Sequence, residues 1–301
     1  MQHRIQYPSL VRRFWWLMLP GLLLSACLPD PIPIEIEPPN PELVIASQIL
    51  PDRVMVVAVT RSFSALSYSA ENEEDSITND LLAGLFVDTA RVTVSFAGRT
   101  EELFSLGSGV YASVNTLQLP NEFYTLSVFD STTGDMVTAQ TQMLPFVPFD
   151  TIFPVLIPQA GDTTVALEYT ISDPPGDNWY AINVIRQEDD STEVGIDLNS
   201  FFSVGLNVVT QTRLVSDRTF SGSQISERFD LFDIAPSDSV VVTIANISQG
   251  YFEYLEAAER AEGLLSQITQ EPINRPTNVN GGRGFFNAYF PDVRYFDLSE
   301  W

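Results

Sequence analysis

Apolar and polar positions from residue 43 onward follow the period of short strands. In Arg91-Val92-Thr93-Val94-Ser95-Phe96 the two kinds alternate strictly, as expected of a strand with one buried face. Val165, Leu167, Tyr169 and Ile171 alternate in the same way with Ala166, Glu168 and Thr170. Val54 to Val59, Trp179 to Ile185 and Val240 to Ile247 are apolar on both phases, which predicts strands covered on both sides. Phe123 to Phe129 and Met136 to Gln142 flank Asp130-Ser131-Thr132-Thr133-Gly134-Asp135, a hairpin signature.

The 3.6-residue period surfaces near the C-terminus. Ser248 is placed to cap a helix from about Tyr251 to Ile268, with Tyr251, Tyr254, Leu255, Ala258, Leu265 and Ile268 as its apolar stripe. Gly263 weakens that helix by about 1 kcal/mol relative to alanine. Residues 71–86 carry acids ahead of Leu81, Leu82, Leu85 and Phe86, a pattern that fits a short helix or an ordered loop. Prolines cluster at Pro145, Pro148, Pro154 and Pro158 and mark a domain boundary. The prediction is an all-β chain. An immunoglobulin-like β-sandwich at 43–144 is followed by a second β-rich domain at 145–301, with one helix near 251–268.

The segment before residue 43 reads differently. Arg4, Arg12 and Arg13 precede the apolar run Phe14 to Leu24, and Leu24-Ser25-Ala26-Cys27 has the form of a lipobox. A spanning helix needs about 20 apolar residues, whereas this run is short and broken by Pro20-Gly21. Residues 1–26 are thus expected to be a lipoprotein signal peptide, with Cys27 acylated and holding the chain on a membrane. Residues 27–42, rich in proline and carrying Asp30, Glu35 and Glu37, form an extended tether.

Composition then narrows the chemistry. The only Cys is Cys27, the only His is His3, and all 15 basic residues are Arg. Beyond the lipidated cysteine there is no imidazole, amine or thiol. That excludes Ser-His-Asp and Cys-His sites, Schiff-base lysines, and zinc or copper centres. Carboxylate-only glycan hydrolysis and oxygen-ligand cation sites survive the inventory. Loss of Arg4, Arg12 and Arg13 changes the formal charge from −24 to −27, which repels nucleic acid. So acidic a surface favours solubility, and with no lysine it also fits a saline habitat.

The candidate cation ligands are Asp130 with Asp135, Asp173 with Asp177, and Glu188-Asp189-Asp190, none in EF-hand spacing. Turn chemistry accounts for Asp173-Pro174-Pro175-Gly176-Asp177-Asn178 without a metal, and no metal or cofactor is assigned. Gly281, Gly282 and Gly284 read as turn residues, since a phosphate loop would need the lysine this chain lacks. Phe285, Phe286, Tyr289 and Phe290, together with Tyr295, Phe296 and Trp301, are either packing residues or a partner surface.

The order of several short motifs adds a family resemblance. The lipobox, the acidic proline-rich tether, Asp88-Thr89-Ala90-Arg91-Val92, Gly109-Val110-Tyr111, Tyr124-Thr125-Leu126-Ser127-Val128, Asn178-Trp179-Tyr180, Tyr251-Phe252-Glu253-Tyr254-Leu255 and Pro276 to Phe286 together resemble a lipoprotein family of the Bacteroidota outer membrane, domain of unknown function 4249. The resemblance implies an outer-membrane lipoprotein that accompanies a TonB-dependent receptor, and it carries over no catalytic residues. The expected function is therefore non-catalytic binding in nutrient uptake. The alternatives are a structural or adhesive surface module and a carboxylate-based glycan hydrolase.

Overall fold

The computed structural model describes residues 40–50, 54–62, 84–116, 118–159, 162–187, 211–217, 222–262 and 275–301. Cys27, the signal segment, most of the tether, Glu188-Asp189-Asp190 and most of residues 71–86 lie outside them. The first strands are β1 (Leu43–Ile49), β2 (Met55–Arg61), β3 (Ala90–Phe96), β4 (Arg99–Glu102), β5 (Phe104–Gly107), β6 (Val110–Ser113), β7 (Phe123–Asp130) and β8 (Met136–Gln142). Then come β9 (Thr151–Gln159), β10 (Asp162–Ser172), β11 (Trp179–Gln187), β12 (Gln211–Ser216), β13 (Gln224–Asp230) and β14 (Ser239–Ile247). Helix α1 (Gln249–Glu262), β15 (Val279–Asn280), β16 (Arg283–Phe285), β17 (Asp292–Asp297) and a 3-10 turn at Leu298–Glu300 complete the order. The all-β expectation with a single C-terminal helix holds for the described residues.

The first sandwich is built from the sheets β16-β1-β2-β6-β5 and β15-β8-β7-β3-β4. Alternation decides which side chains fill it: Val92, Val94 and Phe96 of β3 meet Tyr124, Leu126 and Val128 of β7 in the core, with the intervening residues outward. Strand β2 is apolar on both phases because both its faces are covered. Met55, Val57 and Val59 enter the main core, while Val56 and Ala58 join Leu50, Val110 and Ala112 in a separate cluster. Buried tyrosines satisfy backbone groups that the ladders leave free. The Tyr111 hydroxyl donates to Val87 O (2.7 Å) and accepts from Ala90 N (2.9 Å), and that of Tyr289 donates to Ile49 O (3.1 Å).

Sheets β13-β10-β9 and β12-β11-β14-β17 enclose a second core around Leu167, Tyr169, Tyr180, Ile182, Val242 and Ile244. The proline cluster does not lie wholly between the sandwiches. Pro145 and Pro148 are in the connection, but Pro154 and Pro158 are inside β9, paired with Leu167 and Thr163. Since β9 has a single neighbour, a residue without an N–H fits there, and two prolines blunt the edge against further pairing.

The C-terminal stretch departs most from the sequence reading. Strand β15 adds to β8, the chain turns at Gly281-Gly282, and β16 adds in parallel to β1, so this segment closes one edge of the first sandwich although it follows the second in sequence. Glycine is required by close approach: a Cβ on Gly282 would sit 2.5 Å from Leu43 O. Gly284 has φ +92°, and its added Cβ would lie inside the contact distance of the Ile45 carbonyl. The turn reading of these glycines is thereby sharpened: they let two backbones touch. Ser248 caps α1 through its hydroxyl, which accepts from Tyr251 N at 3.3 Å. The predicted continuation of the helix from 263 to 268 lies outside the described residues.

Phe286, Ala288 and Tyr289 then share one cluster with Ala181, Ala245, Ile247 and Phe252 of the second sandwich and helix. Tyr251 and Tyr254 stand 5.4 and 5.5 Å from the Phe285 ring, seating α1 on this segment. Asn40–Trp301 is consequently one compact unit joined by a continuous apolar core.

Candidate functional site

The hairpin from β7 to β8 places the first polar cluster. Asp130, 2 % exposed, and the exposed Asp135 both bind Arg61: its Nη2 pairs with Asp130 and its Nη1 lies 3.2 Å from Asp135. Burial works against the Asp130 carboxylate, but the Thr132 N–H at 2.8 Å and the Arg61 guanidinium outweigh it and hold the pKa below the usual range. Asp135 is lowered first by the Thr133 hydroxyl and then by Arg61. A guanidinium already occupies the space between the two carboxylates, and the loop is built as an ion-paired turn.

A second acidic pair sits at one end of the other sandwich, and its members differ from those expected. Asp173 meets Asp217, not Asp177, which is exposed. Asp173 accepts from the Tyr180 hydroxyl (2.5 Å) and from Gly222 N (2.8 Å), while Asp217 accepts from Asn178 N (2.6 Å). Burial is the largest influence on Asp173 and raises its pKa, helped by the neighbouring Asp217 and opposed by the two donors. Both carboxyl groups are buried, and the charge of its neighbour adds to burial in raising Asp173. Their oxygens face Tyr180 and backbone N–H groups, so the pair clamps two loops together.

The open side of the second sandwich offers a cleft. Between the edge strands β9 and β17 lies a depression of about 470 Å³ lined by Phe149, Asp150, Thr151, Ile152, Arg294 and the aromatic pair Tyr295 and Phe296. Arg294 donates to Asp292 (3.0 Å) and to Phe149 O (3.2 Å), and Asp292 also accepts from Phe149 N (3.0 Å), so the guanidinium is fixed to both walls. Tyr295 is 61 % exposed. Around β9, on the outer face of its sheet, a shallower depression of about 300 Å³ includes the half-exposed Phe153, with Glu168 and Arg228 opposite it. One short segment, Phe149 to Phe153, thus carries two adjoining concavities with aromatic and charged walls, the mixture that orients a bound partner.

With this geometry established, comparison with known families adds one match: residues 29–292 fit the model described as Domain of unknown function (DUF4249). The chain belongs to that family. No curated protein matches it.

In this DUF4249 chain the aromatics from Phe285 to Phe290 do not form an outward-facing surface, whereas Tyr295 and Trp301 are exposed. Phe285, Phe286 and Tyr289 are buried and Phe290 is half-buried against Phe146, at a ring distance of 4.8 Å. They are needed to pack the crossing segment against the helix and both sandwiches. The cleft has no local sequence signature. Phe149 and Arg294 are joined only by the fold, and the one hint was the candidate aromatic surface, of which Tyr295 and Phe296 line the cleft. Among the described residues, no helix is long and apolar enough to cross a membrane, and no group of three or more acidic or sulfur and imidazole side chains is placed to hold a metal.

Proposed function

We propose that this DUF4249 chain is a lipid-anchored outer-membrane protein that works by binding, as an accessory partner of a TonB-dependent transporter in nutrient uptake. The observation that carries the reading is chemical: after Cys27 the sequence has no His, no Lys and no thiol, which leaves recognition intact while removing imidazole, amine and thiol chemistry. A rigid two-sandwich body on a proline-rich tether suits that role, because loops and edges can be presented at a distance from the bilayer. The cleft between β9 and β17 is the first candidate contact.

Crosslinking in native outer membranes, followed by mass spectrometry, should recover a TonB-dependent receptor as a major partner. Tyr295→Ala should weaken that recovery while leaving the melting temperature unchanged. A protein that runs alone after solubilisation, and hydrolyses glycans at a rate abolished by one carboxylate-to-amide change, would overturn the proposal in favour of a hydrolase. The anchor is tested separately. Cys27→Ala should release the protein or leave it uncleaved, and an intact N-terminus with an unmodified thiol in the unaltered chain would refute it.

A further inference from the structure

The outward face of the sheet β15-β8-β7-β3-β4 differs from the rest of a chain with 39 acidic residues against 15 arginines. Directly opposed register pairs place Thr93, Ser95, Thr125, Ser127, Thr138 and Gln140 on this face. Its one acid, Glu102, is paired with Arg91 at 3.2 Å. The hydroxyls and amide are partly ordered among themselves: Ser95 and Thr100 hydroxyls lie 2.8 Å apart, and Gln140 Nε2 donates to Thr125 Oγ1 at 3.5 Å. Every one of these hydroxyl oxygens can accept a further hydrogen bond, and Gln140 keeps both a free N–H and its carbonyl oxygen.

Large apolar side chains stand at both ends of this polar field. Phe123 is 56 % exposed and Phe129 43 %, and Phe129 is paired with Met136, itself 59 % exposed. Phe123 and Phe129 occupy the same face of β7, six residues and so about 20 Å apart. Neither contributes to a core, and exposed aromatics at fixed positions on a rigid sheet mark a contact surface.

We propose that this face binds an uncharged polysaccharide, laid along β7 with sugar rings against Phe123 and against Phe129 with Met136, its hydroxyls exchanging hydrogen bonds with the Ser, Thr and Gln side chains between them. The charge pattern selects the ligand class. A neutral polyhydroxyl chain brings no ion to desolvate and meets no local repulsion, whereas an anionic glycan is repelled by the net negative chain. A protein partner is disfavoured because its contact would centre on apolar anchors with a polar rim, and here the centre is polar and the apolar groups are terminal. The proposal does not depend on a receptor partner.

Affinity electrophoresis tests it, using the full chain in a sugar-free non-ionic detergent and gels containing xylan, mixed-linkage β-glucan or galactomannan, with alginate as the anionic comparison. At least one neutral glycan should retard the protein and alginate should not. Phe123→Ala and Phe129→Ala should each weaken retardation on the order of tenfold. Gln140→Glu, which keeps shape and adds charge, should weaken it similarly, all three with unchanged melting temperature. Retardation by no neutral glycan, or retardation that survives all three substitutions, would overturn the proposal. So would concentration-dependent self-association lost in Phe129→Ala, which would assign the face to a protein contact.

Discussion

Replacing Gly284 by alanine tests whether the crossing segment holds the first sandwich closed. Two costs combine at this position. A φ of +92° disfavours an L-residue by about 1–2 kcal/mol, and the new Cβ would lie 2.8 Å from the Ile45 carbonyl carbon and 2.9 Å from its nitrogen. Backbone cannot yield as a flexible side chain would, so β16 must move away from β1. The parallel ladder between them, with Ile45 opposite Gly284 at its centre, then fails. Losing two or three of its hydrogen bonds at about 1 kcal/mol each brings the total to about 3–5 kcal/mol. That is a large share of the roughly 5–15 kcal/mol of a typical domain. Urea denaturation should show the loss as a lowered midpoint. Gly134→Ala is the matched control, since Gly134 also has positive φ (+80°) but open space where its Cβ would go. If Gly284→Ala destabilises no more than Gly134→Ala, close approach to β1 does not matter and the account is wrong.

Arg61→Met should cost about 3 kcal/mol at neutral pH, because it strands the Asp130 carboxylate. Asp130 and Asp135 are held below their unfolded value near 3.8, so their contribution is present above that pH and fades as pH falls through the folded pKa. The penalty measured by denaturant titration should shrink at acid pH, and a constant penalty would count against the ion pair. Asp173 runs the other way. With its folded pKa raised, its contribution is complete below about pH 3.8 and is lost as pH rises through the folded value, at up to about 1.4 kcal/mol per pH unit. Asp173→Asn should flatten that decline, and an unaltered pH profile would refute the raised pKa of Asp173. With a formal charge of −24, thermal stability should rise as salt increases from millimolar levels toward about 1 M, whereas a flat or falling melting temperature would show the charge already compensated.

Local patterns made much of the fold legible. Strict alternation located β3 and β10, the Asp130 to Asp135 turn gave the β7–β8 hairpin, and Ser248 marked the start of α1 within a few residues. What escaped was non-local. A two-residue strand at 279–280 and a three-residue strand at 283–285 have no periodicity to read, and their partners β8 and β1 lie far away in sequence. Pro154 and Pro158 read as breaks because the usual objection to proline in a sheet applies to central strands, and nothing local announces an edge. The aromatics from Phe285 to Phe290 have the composition of either a core or an interface, and only the crossing decides between them. Tyr295 and Phe296 were legible as a candidate surface, but their facing wall at Phe149 to Ile152 and the Asp173–Asp217 pair were not, since each joins segments that sequence spacing leaves unrelated.

The pairing of β1 with β16 also imposes an order on folding. Strand β1, the first of the described strands, waits for a partner some 240 residues downstream, and until then Ser47 has no Asn287 to bind and Ile49 no Tyr289. A nascent chain therefore holds this sandwich unfinished, with the edges of β1 and β8 exposed and open to pairing with other chains. The first sandwich gains its full set of strands only when β15 and β16 have been added, and those edges depend on whatever shields them in the interval.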